Sequence, residues 1–217
     1  MRGLGAIFML HQVCLPTGRA FEPSRILQIT PKFLDDALGL MRREGFEFIS
    51  LDDLPERIKN PTGRPFACLT LDDGYRDNLK HALPVFREHN APFAIYLPDT
   101  FADGTGDLWW LTLEEVIRRA NRITVQVGKA AEPMPLTTLA EKTDAHAKVY
   151  WALREIDERD ARTIVAGLAA QHGVDAADIA TDLLMTWDEV REIAADPLCT
   201  IAAHTSCQVI NRSVAMS

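Results

Sequence analysis

The most constraining feature of this 217-residue sequence is the stretch from residue 66 to residue 98. Its first apolar run, FACLTL at residues 66–71, stops at two acidic residues and a glycine, Asp72, Asp73 and Gly74. A helical pattern and a second apolar run at residues 93–97 follow. This order predicts a buried strand, a turn, a crossover helix and a parallel strand.

The acidic pair at the end of the first predicted strand is the strongest functional signal in the chain. In parallel α/β folds, the loops at the carboxyl ends of the strands carry the chemistry. Aspartates in such a position also cap the following helix, and that alternative stays open for Asp72 and Asp73.

Composition limits the class of protein. The length predicts one domain with an insertion, and the 47% hydrophobic and 25% charged fractions are typical of a soluble globular chain. A net charge of −8 argues against a nucleic-acid or anionic-membrane partner. No apolar run reaches the roughly 18 residues of a membrane span, and the N-terminus does not resemble a signal peptide. We therefore expect a cytoplasmic protein.

The four cysteines follow no C-x-x-C metal or redox spacing. Cys68 and Cys199 lie in apolar runs and are predicted to be buried free thiols. Cys14 and Cys207 complete the set.

The rest of the chain predicts alternating strands and helices. Thr30 and Pro31 are expected to begin a helix that ends at Gly45, and residues 186–189 form a capping box. Residues 123–127 are expected to form a strand or an edge hairpin that Pro133 and Pro135 interrupt, and residues 128–181 are read as a helical insertion. Six strands are predicted, at residues 6–10, 46–51, 66–71, 93–97, 123–127 and 198–203.

Three predicted strand ends supply groups that bind metals or move protons, namely His11, the Asp72–Asp73 pair and His204. In a parallel sheet these ends meet at one edge, so residues distant in sequence become neighbours. A carboxylate with an imidazole suits a divalent ion such as zinc, and a second carboxylate can take a proton from bound water. Each histidine can also be a rim residue without a chemical role.

Other aromatic and basic side chains are weaker candidates. Trp109 and Trp110 are either a stacking surface for a sugar ring or packing residues. Four further histidines lie in helical patterns and are predicted to be solvated, namely His81, His89, His146 and His172.

These residues resemble the polysaccharide deacetylases, the NodB-like group that contains the nodulation-type chitooligosaccharide deacetylases. LTLDDG at residues 69–74 is similar to the family motif T-F-D-D-G, and FMLHQV at residues 8–13 to the M-Y-H-x-V opening of one subgroup. IAAHT at residues 201–205 is similar to the start of the second motif, I-G-A-H-T. Trp109, Trp110 and residues 186–189 also resemble segments of that subgroup.

The resemblance implies a distorted, seven-stranded (β/α) barrel that removes acetyl groups from carbohydrate with a divalent metal, zinc by expectation. It implies that Asp72 is the general base and that Asp73 and His204 are metal ligands. His11, Trp109 and Trp110 are then candidate contacts to the substrate.

The sequence departs from the family pattern in two ways. Gln208 stands where the second motif, H-[ST]-x-x-H, has its last histidine, and an amide oxygen is a poor zinc ligand. The later motifs do not follow. We therefore expect a barrel that is incomplete at its C-terminus, with an open sheet edge that favours homo-oligomers.

Two other functions stay open. One is a catalytically inactive relative that binds a sugar or a protein. The other is phosphoryl transfer at an aspartate with magnesium, for which His204 has no role.

Overall fold

The computed structural model describes residues 3–127 and 130–204. Its strands are β1 (Gly5–Leu10), β2 (Gln12–Val13), β3 (Gln28–Ile29), β4 (Glu47–Phe48), β5 (Phe66–Asp72), β6 (Phe93–Leu97), β7 (Arg122–Val127), β8 (Ala130–Pro135) and β9 (Cys199–Ala203).

Helices separate most of the strands, and four of them follow one another before the last strand. They are α1 (Pro31–Arg43), α2 (Leu54–Lys59), α3 (Leu83–Glu88), α4 (Asp99–Ala102), α5 (Trp109–Arg119), α6 (Leu139–Leu153), α7 (Glu158–Gln171), α8 (Ala176–Leu183) and α9 (Trp187–Ala194). A short 3-10 helix covers Pro23–Leu27, and a π-helical turn covers Asn78–Ala82.

The described residues divide into two compact units. The first draws on residues 3–17, Leu27–Gly106 and residues 183–204, and the second on Gly18–Ile26 and residues 107–127 and 130–182. The interpretation of the chain as a single domain stays a prediction.

The first unit is built on a parallel sheet with β5 at its centre. β5 pairs with β1 along one side, and on the other side first with β4 and then with β6, which pairs with β9. The first six residues of β5 are buried, because helices and neighbouring strands cover a central parallel strand on both faces. The mixed α/β fold with a parallel sheet is therefore confirmed.

The hydrophobic core of this unit lies between the sheet and its helices. Leu71 and Ile95 are completely buried, and the stacked rings of Phe86 and Phe93 lie 4.4 Å apart between centroids. Thr30 caps α1 by accepting a hydrogen bond from the Phe33 backbone at 3.0 Å, as predicted.

One face of β1 has no such cover. Ile7 and Met9 are 53% and 61% exposed, whereas Phe8 and Leu10 on the opposite face pack against the core. Among the described residues β1 pairs only with β5, and β9 only with β6. The sheet therefore presents apolar side chains at an edge strand.

The second unit combines a helical cluster with a two-stranded hairpin. Helices α5, α6 and α7 bury Leu113, Val149 and Val165 in a common core. The hairpin of β7 and β8 matches the edge hairpin left open for residues 123–127, but β8 lies in the range read as helical and contains Pro133 and Pro135, which were expected to interrupt it. Proline is tolerated there because each strand of a two-stranded hairpin has an open edge.

Several local predictions differ from the structure in extent. The strand expected at residues 46–51 is reduced to Glu47–Phe48.

Cys14, Cys68 and Cys199 are free thiols, and burial raises the pKa of Cys199 to about 12. Cys207 lies outside the described residues. No helix in the described part of the chain is long and apolar enough to cross a membrane.

Candidate functional site

The predicted site residues of the first unit meet where the parallel strands end, at the carboxyl edge of the sheet. Asp72 is the last residue of β5 and pairs with Tyr96 of β6. His204 follows β9, and its backbone N–H donates to the Leu97 carbonyl at 3.0 Å. Parallel pairing thus brings these two residues together, as the sequence predicted.

Asp72 and His204 face each other directly. The distance from His204 Nε2 to Asp72 Oδ2 is 3.9 Å, and the side chains are 23% and 15% exposed, respectively. This separation exceeds a hydrogen bond but suits electrostatic attraction when the imidazole is protonated. The two side chains therefore lie together at this edge of the sheet.

Burial is the main influence on the Asp72 carboxyl. It raises the pKa of Asp72, whereas the positive charges of His11 and His204 act in the opposite direction. A carboxylate with a raised pKa is a better proton acceptor than an ordinary exposed aspartate. His11 therefore belongs to the same electrostatic environment as Asp72.

Asp73 turns the chain away from β5. Its φ is +72°, which is uncommon for a residue with a side chain, and Gly74 follows with a φ of +68°. The Asp73 backbone N–H donates to the Tyr96 carbonyl at 3.0 Å, and its side chain is almost completely buried. Backbone strain of this kind is concentrated at functional sites.

Two contacts join the turn to the region where α9 begins. The Gly74 carbonyl accepts a hydrogen bond from the Met185 backbone at 3.0 Å. Arg76 Nε donates to both carboxylate oxygens of Glu189, at 2.8 and 3.0 Å. Glu189 also closes the capping box with Thr186, so the start of α9 is fastened to the turn.

Arg76, Asp77 and Asn78 are parts of this site that no sequence motif indicated. Asp77 Oδ1 accepts a hydrogen bond from the Val13 backbone at 3.2 Å, and Asn78 Nδ2 donates to the His11 carbonyl at 2.9 Å. The available signal was a run of polar residues directly after the acidic turn, where the predicted crossover helix begins.

A divalent metal suits the chemistry of these donors but not their number. Asp73 and His204 supply the carboxylate oxygen and imidazole nitrogen ligands that zinc prefers. Within residues 3–127 and 130–204, however, no three His, Cys, Asp or Glu side chains form a group that would hold a metal ion. Gln208, which stands at the place of the family's further histidine, lies outside the described residues.

The two tryptophans belong to the second unit. Trp109 is only 4% exposed and stacks on Tyr150 at 5.6 Å between ring centroids. The core covers its ring, which is the packing role that the sequence left open, and a contact between Trp109 and substrate stays a prediction. Trp110 is half-buried and lies edge-on to Trp109, and its role in binding substrate stays a prediction.

Two other histidines also differ from expectation. His89 is hydrogen-bonded to Asp35 at 2.7 Å with a side chain only 13% exposed. Burial lowers the pKa of His146 to about 4, and its ring stacks on Tyr150 at 5.6 Å. Neither is a solvated surface residue.

Comparison with known proteins identifies the family. The polysaccharide deacetylase family profile matches residues 59–210, and the chain belongs to this family. Among the curated proteins, none matches the chain.

Similar solved structures carry related descriptions. A de-N-acetylase from Aggregatibacter actinomycetemcomitans is 15% identical, with 92% of this chain and 54% of that chain covered and a TM-score of 0.47. IcaB from Ammonifex degensii is 17% identical, with 94% and 55% covered and a TM-score of 0.48. Streptococcus pyogenes deacetylase PplD in complex with acetate is 22% identical, with 46% and 44% covered and a TM-score of 0.39. This chain spans about half the length of these structures.

Replacing Gly74 with alanine is expected to lower the free energy of unfolding by about 2–4 kcal/mol, measured by urea denaturation. An L-residue pays about 1–2 kcal/mol for left-handed backbone, and the new Cβ would overlap Leu97 Cδ1. Gly45→Ala is the matched control, since Gly45 has a φ of +83° and open space around it. Equal losses in the two variants would show that the contact with Leu97 is unimportant.

The stability of the protein is expected to carry a pH dependence from Asp77. Burial raises the pKa of Asp77 to about 6, against the effect of hydrogen bonds from Val13 and Asn78. Between about pH 4 and pH 6 the folded state keeps a proton that the unfolded state has lost, so the free energy of unfolding falls as the pH rises. Asp77→Asn cannot bind this proton. Its free energy of unfolding relative to the parent is therefore expected to rise by about 2 kcal/mol from pH 4 to pH 7.

Asp196→Asn provides a control of opposite sign in the same denaturation series. Burial alone would raise the pKa of Asp196, but the hydrogen bonds from Arg87 and Leu198 outweigh it and hold the pKa below its usual range. This variant is expected to lose stability relative to the parent as the pH rises. If the difference in stability between Asp77→Asn and the parent did not change with pH, burial would not raise the pKa of Asp77.

Proposed function

We propose that this chain carries a carbohydrate deacetylase site that hydrolyses N-acetyl or O-acetyl groups on a sugar. The observation that carries the proposal is the desolvated Asp72 carboxylate, which faces His204 across 3.9 Å at the carboxyl edge of the sheet. Membership of the polysaccharide deacetylase family supports this reaction. The net charge of −8 is compatible with an uncharged sugar substrate.

In this proposal Asp72 is the general base. Oδ2 accepts the proton of the attacking water, and the raised pKa of Asp72 keeps the proton there while the acetyl carbonyl is attacked. His204 Nε2 faces this carboxylate across 3.9 Å and is proposed below as a metal ligand. His11 lies within electrostatic reach of Asp72 and is proposed to contact the substrate.

Polysaccharide deacetylases are generally metal-dependent, and we propose Asp73 and His204 as two ligands of a divalent ion, zinc in the first instance. A bound zinc ion would lower the pKa of a water molecule and polarise the acetyl carbonyl. A catalytic zinc site normally has three protein ligands, which the described residues do not supply as a group. We therefore assign the proton transfer to Asp72 and derive no step through the metal.

The lack of a third metal ligand among the described residues favours a second function. In it, the chain is a catalytically inactive relative that binds sugar without hydrolysing it. The strand-end residues would then form a polar recognition site. The two functions differ in acetate release and in tightly bound metal.

Acetate release from N-acetylglucosamine oligomers, with zinc or cobalt added, tests the first function. Replacing Asp72 with asparagine is expected to lower kcat by about 10²–10⁴-fold, because loss of a general base removes that much catalysis. Asp73→Asn is expected to lower both activity and metal content. Asp36→Asn, an exposed acid on α1, is the matched control and leaves both unchanged.

Unchanged turnover in both site variants would contradict the assignment. Sugar binding in calorimetry without acetate release from the parent protein would favour the inactive relative.

We also propose that the parallel sheet is part of a distorted (β/α) barrel, with a second copy of the chain covering the open face of β1. Ile7 and Met9 are more than half exposed on this face, and burying apolar surface drives association. Sedimentation of the parent is expected to show a dimer or larger species, and a variant with Ile7→Lys and Met9→Lys is expected to be monomeric. A compact monomer of the parent at micromolar concentration would contradict this proposal.

A further inference from the structure

His11 lies between two strands at the carboxyl edge of the sheet. β1 ends at Leu10 and β2 begins at Gln12, so the residue between them belongs to neither strand. Leu10 is aligned with Leu71 of β5, which places His11 level with Asp72 at the carboxyl edge. The position of the His11 ring therefore depends on what holds this break in the chain.

Asn78 provides one support from a distant part of the sequence. Its Nδ2 donates to the His11 carbonyl at 2.9 Å and to Asp77 Oδ1 at 3.0 Å. Both partners are acceptors, so the amide nitrogen has to face them. The Asn78 side chain is completely buried, which fixes this orientation.

Asp77 provides the second support. Its Oδ1 accepts from the Val13 backbone at 3.2 Å, just beyond His11. The usual reason for an aspartate before a helical segment is capping, but Asp77 makes no side-chain capping bond to the turn that follows it. Its carboxylate is directed to the β1–β2 segment instead.

This arrangement carries two costs for the stability of the folded state. The Asn78 Oδ1 is buried and has no hydrogen-bond partner in the described part of the chain. Burial also raises the pKa of Asp77, which means that the surroundings disfavour its charged form. An apolar pair of similar volume would avoid both penalties but would remove the partners of the Val13 N–H and the His11 carbonyl, so the polar pair serves the backbone that it binds.

We propose that Asp77 and Asn78 are positioning residues that clamp the backbone at His11 and Val13 and thereby hold the His11 imidazole beside Asp72. The role of the positioned ring rests on the proposed deacetylase function, whereas the clamp itself does not. Both residues act through the backbone of His11 and not on the reacting atoms.

Nuclear magnetic resonance of the substrate-free protein tests the clamp without reference to activity. Asn78→Leu keeps the branched shape of the side chain and removes the donor, so the His11 ring signals are expected to shift and broaden. The Val13 amide is expected to exchange about tenfold faster, because Asp77 loses its bond to Asn78. The His89 ring signals serve as an internal reference. Thr30→Ala, which removes the N-cap of α1, destabilises the same unit and is expected to leave the His11 signals unchanged.

Asp77 variants keep the test decisive if Asn78→Leu fails to fold. Asp77→Ala removes the acceptor and is expected to reproduce the shift of the His11 signals. Asp77→Asn retains a side-chain oxygen that can accept from Val13 and is expected to restore the parent spectrum. Unchanged His11 signals in Asp77→Ala, or in a folded Asn78→Leu, would overturn the inference.

A double-mutant cycle on acetate release then tests the function of the clamp. Asp77→Ala is expected to lower kcat/KM at least tenfold in the parent and less than twofold in a His11→Ala background, because residues that act through His11 lose their effect when it is absent. Equal losses in both backgrounds would reduce the clamp to a structural role. No acetate release from the parent would count against the proposed function, and the spectra would still decide the clamp.

Discussion

The left-handed turn at Asp73 and Gly74 is the constraint on which the site depends. β5 is buried among parallel neighbours, so the chain has to leave the sheet abruptly at Asp72. Two consecutive positive φ angles make this possible, and the lack of a Cβ at Gly74 leaves room for Leu97. The turn leaves Asp72 at the carboxyl edge, where it faces His204.

The surroundings of the turn compensate for its strain. The Tyr96 carbonyl binds the Asp73 amide, the Met185 amide binds the Gly74 carbonyl, and Arg76 fastens the turn to Glu189. These partners come from β6 and from the region of α9, so the geometry of the turn requires the folded unit. Catalytic groups held in this way are oriented before any substrate binds.

Local sequence chemistry accounts for much of the fold. The apolar run at residues 66–71, the N-cap Thr30 and the capping box that begins at Thr186 each specify structure within a few residues, and all three form as predicted. Parallel pairing then allowed the meeting of Asp72 and His204 to be predicted without contact information.

Other features depend on contacts that no local pattern encodes. The bond from Val13 to Asp77 joins residues 64 positions apart, and the burial of Trp109 depends on the packing of α5 against α6. Pro133 is compatible with β8 only because the hairpin leaves one edge of that strand open. For these residues the sequence indicates the type of side chain but not the residue that it contacts.

The pH dependence of acetate release tests most directly the claim that a desolvated Asp72 is the base. The account predicts that kcat/KM rises with pH through a carboxyl pKa above the value of about 4 for a free aspartate, since burial raises the pKa of Asp72. It also predicts that Asp72→Asn abolishes this acidic limb together with most of the activity. A profile with the same acidic limb in the variant, at comparable rates, would contradict the account.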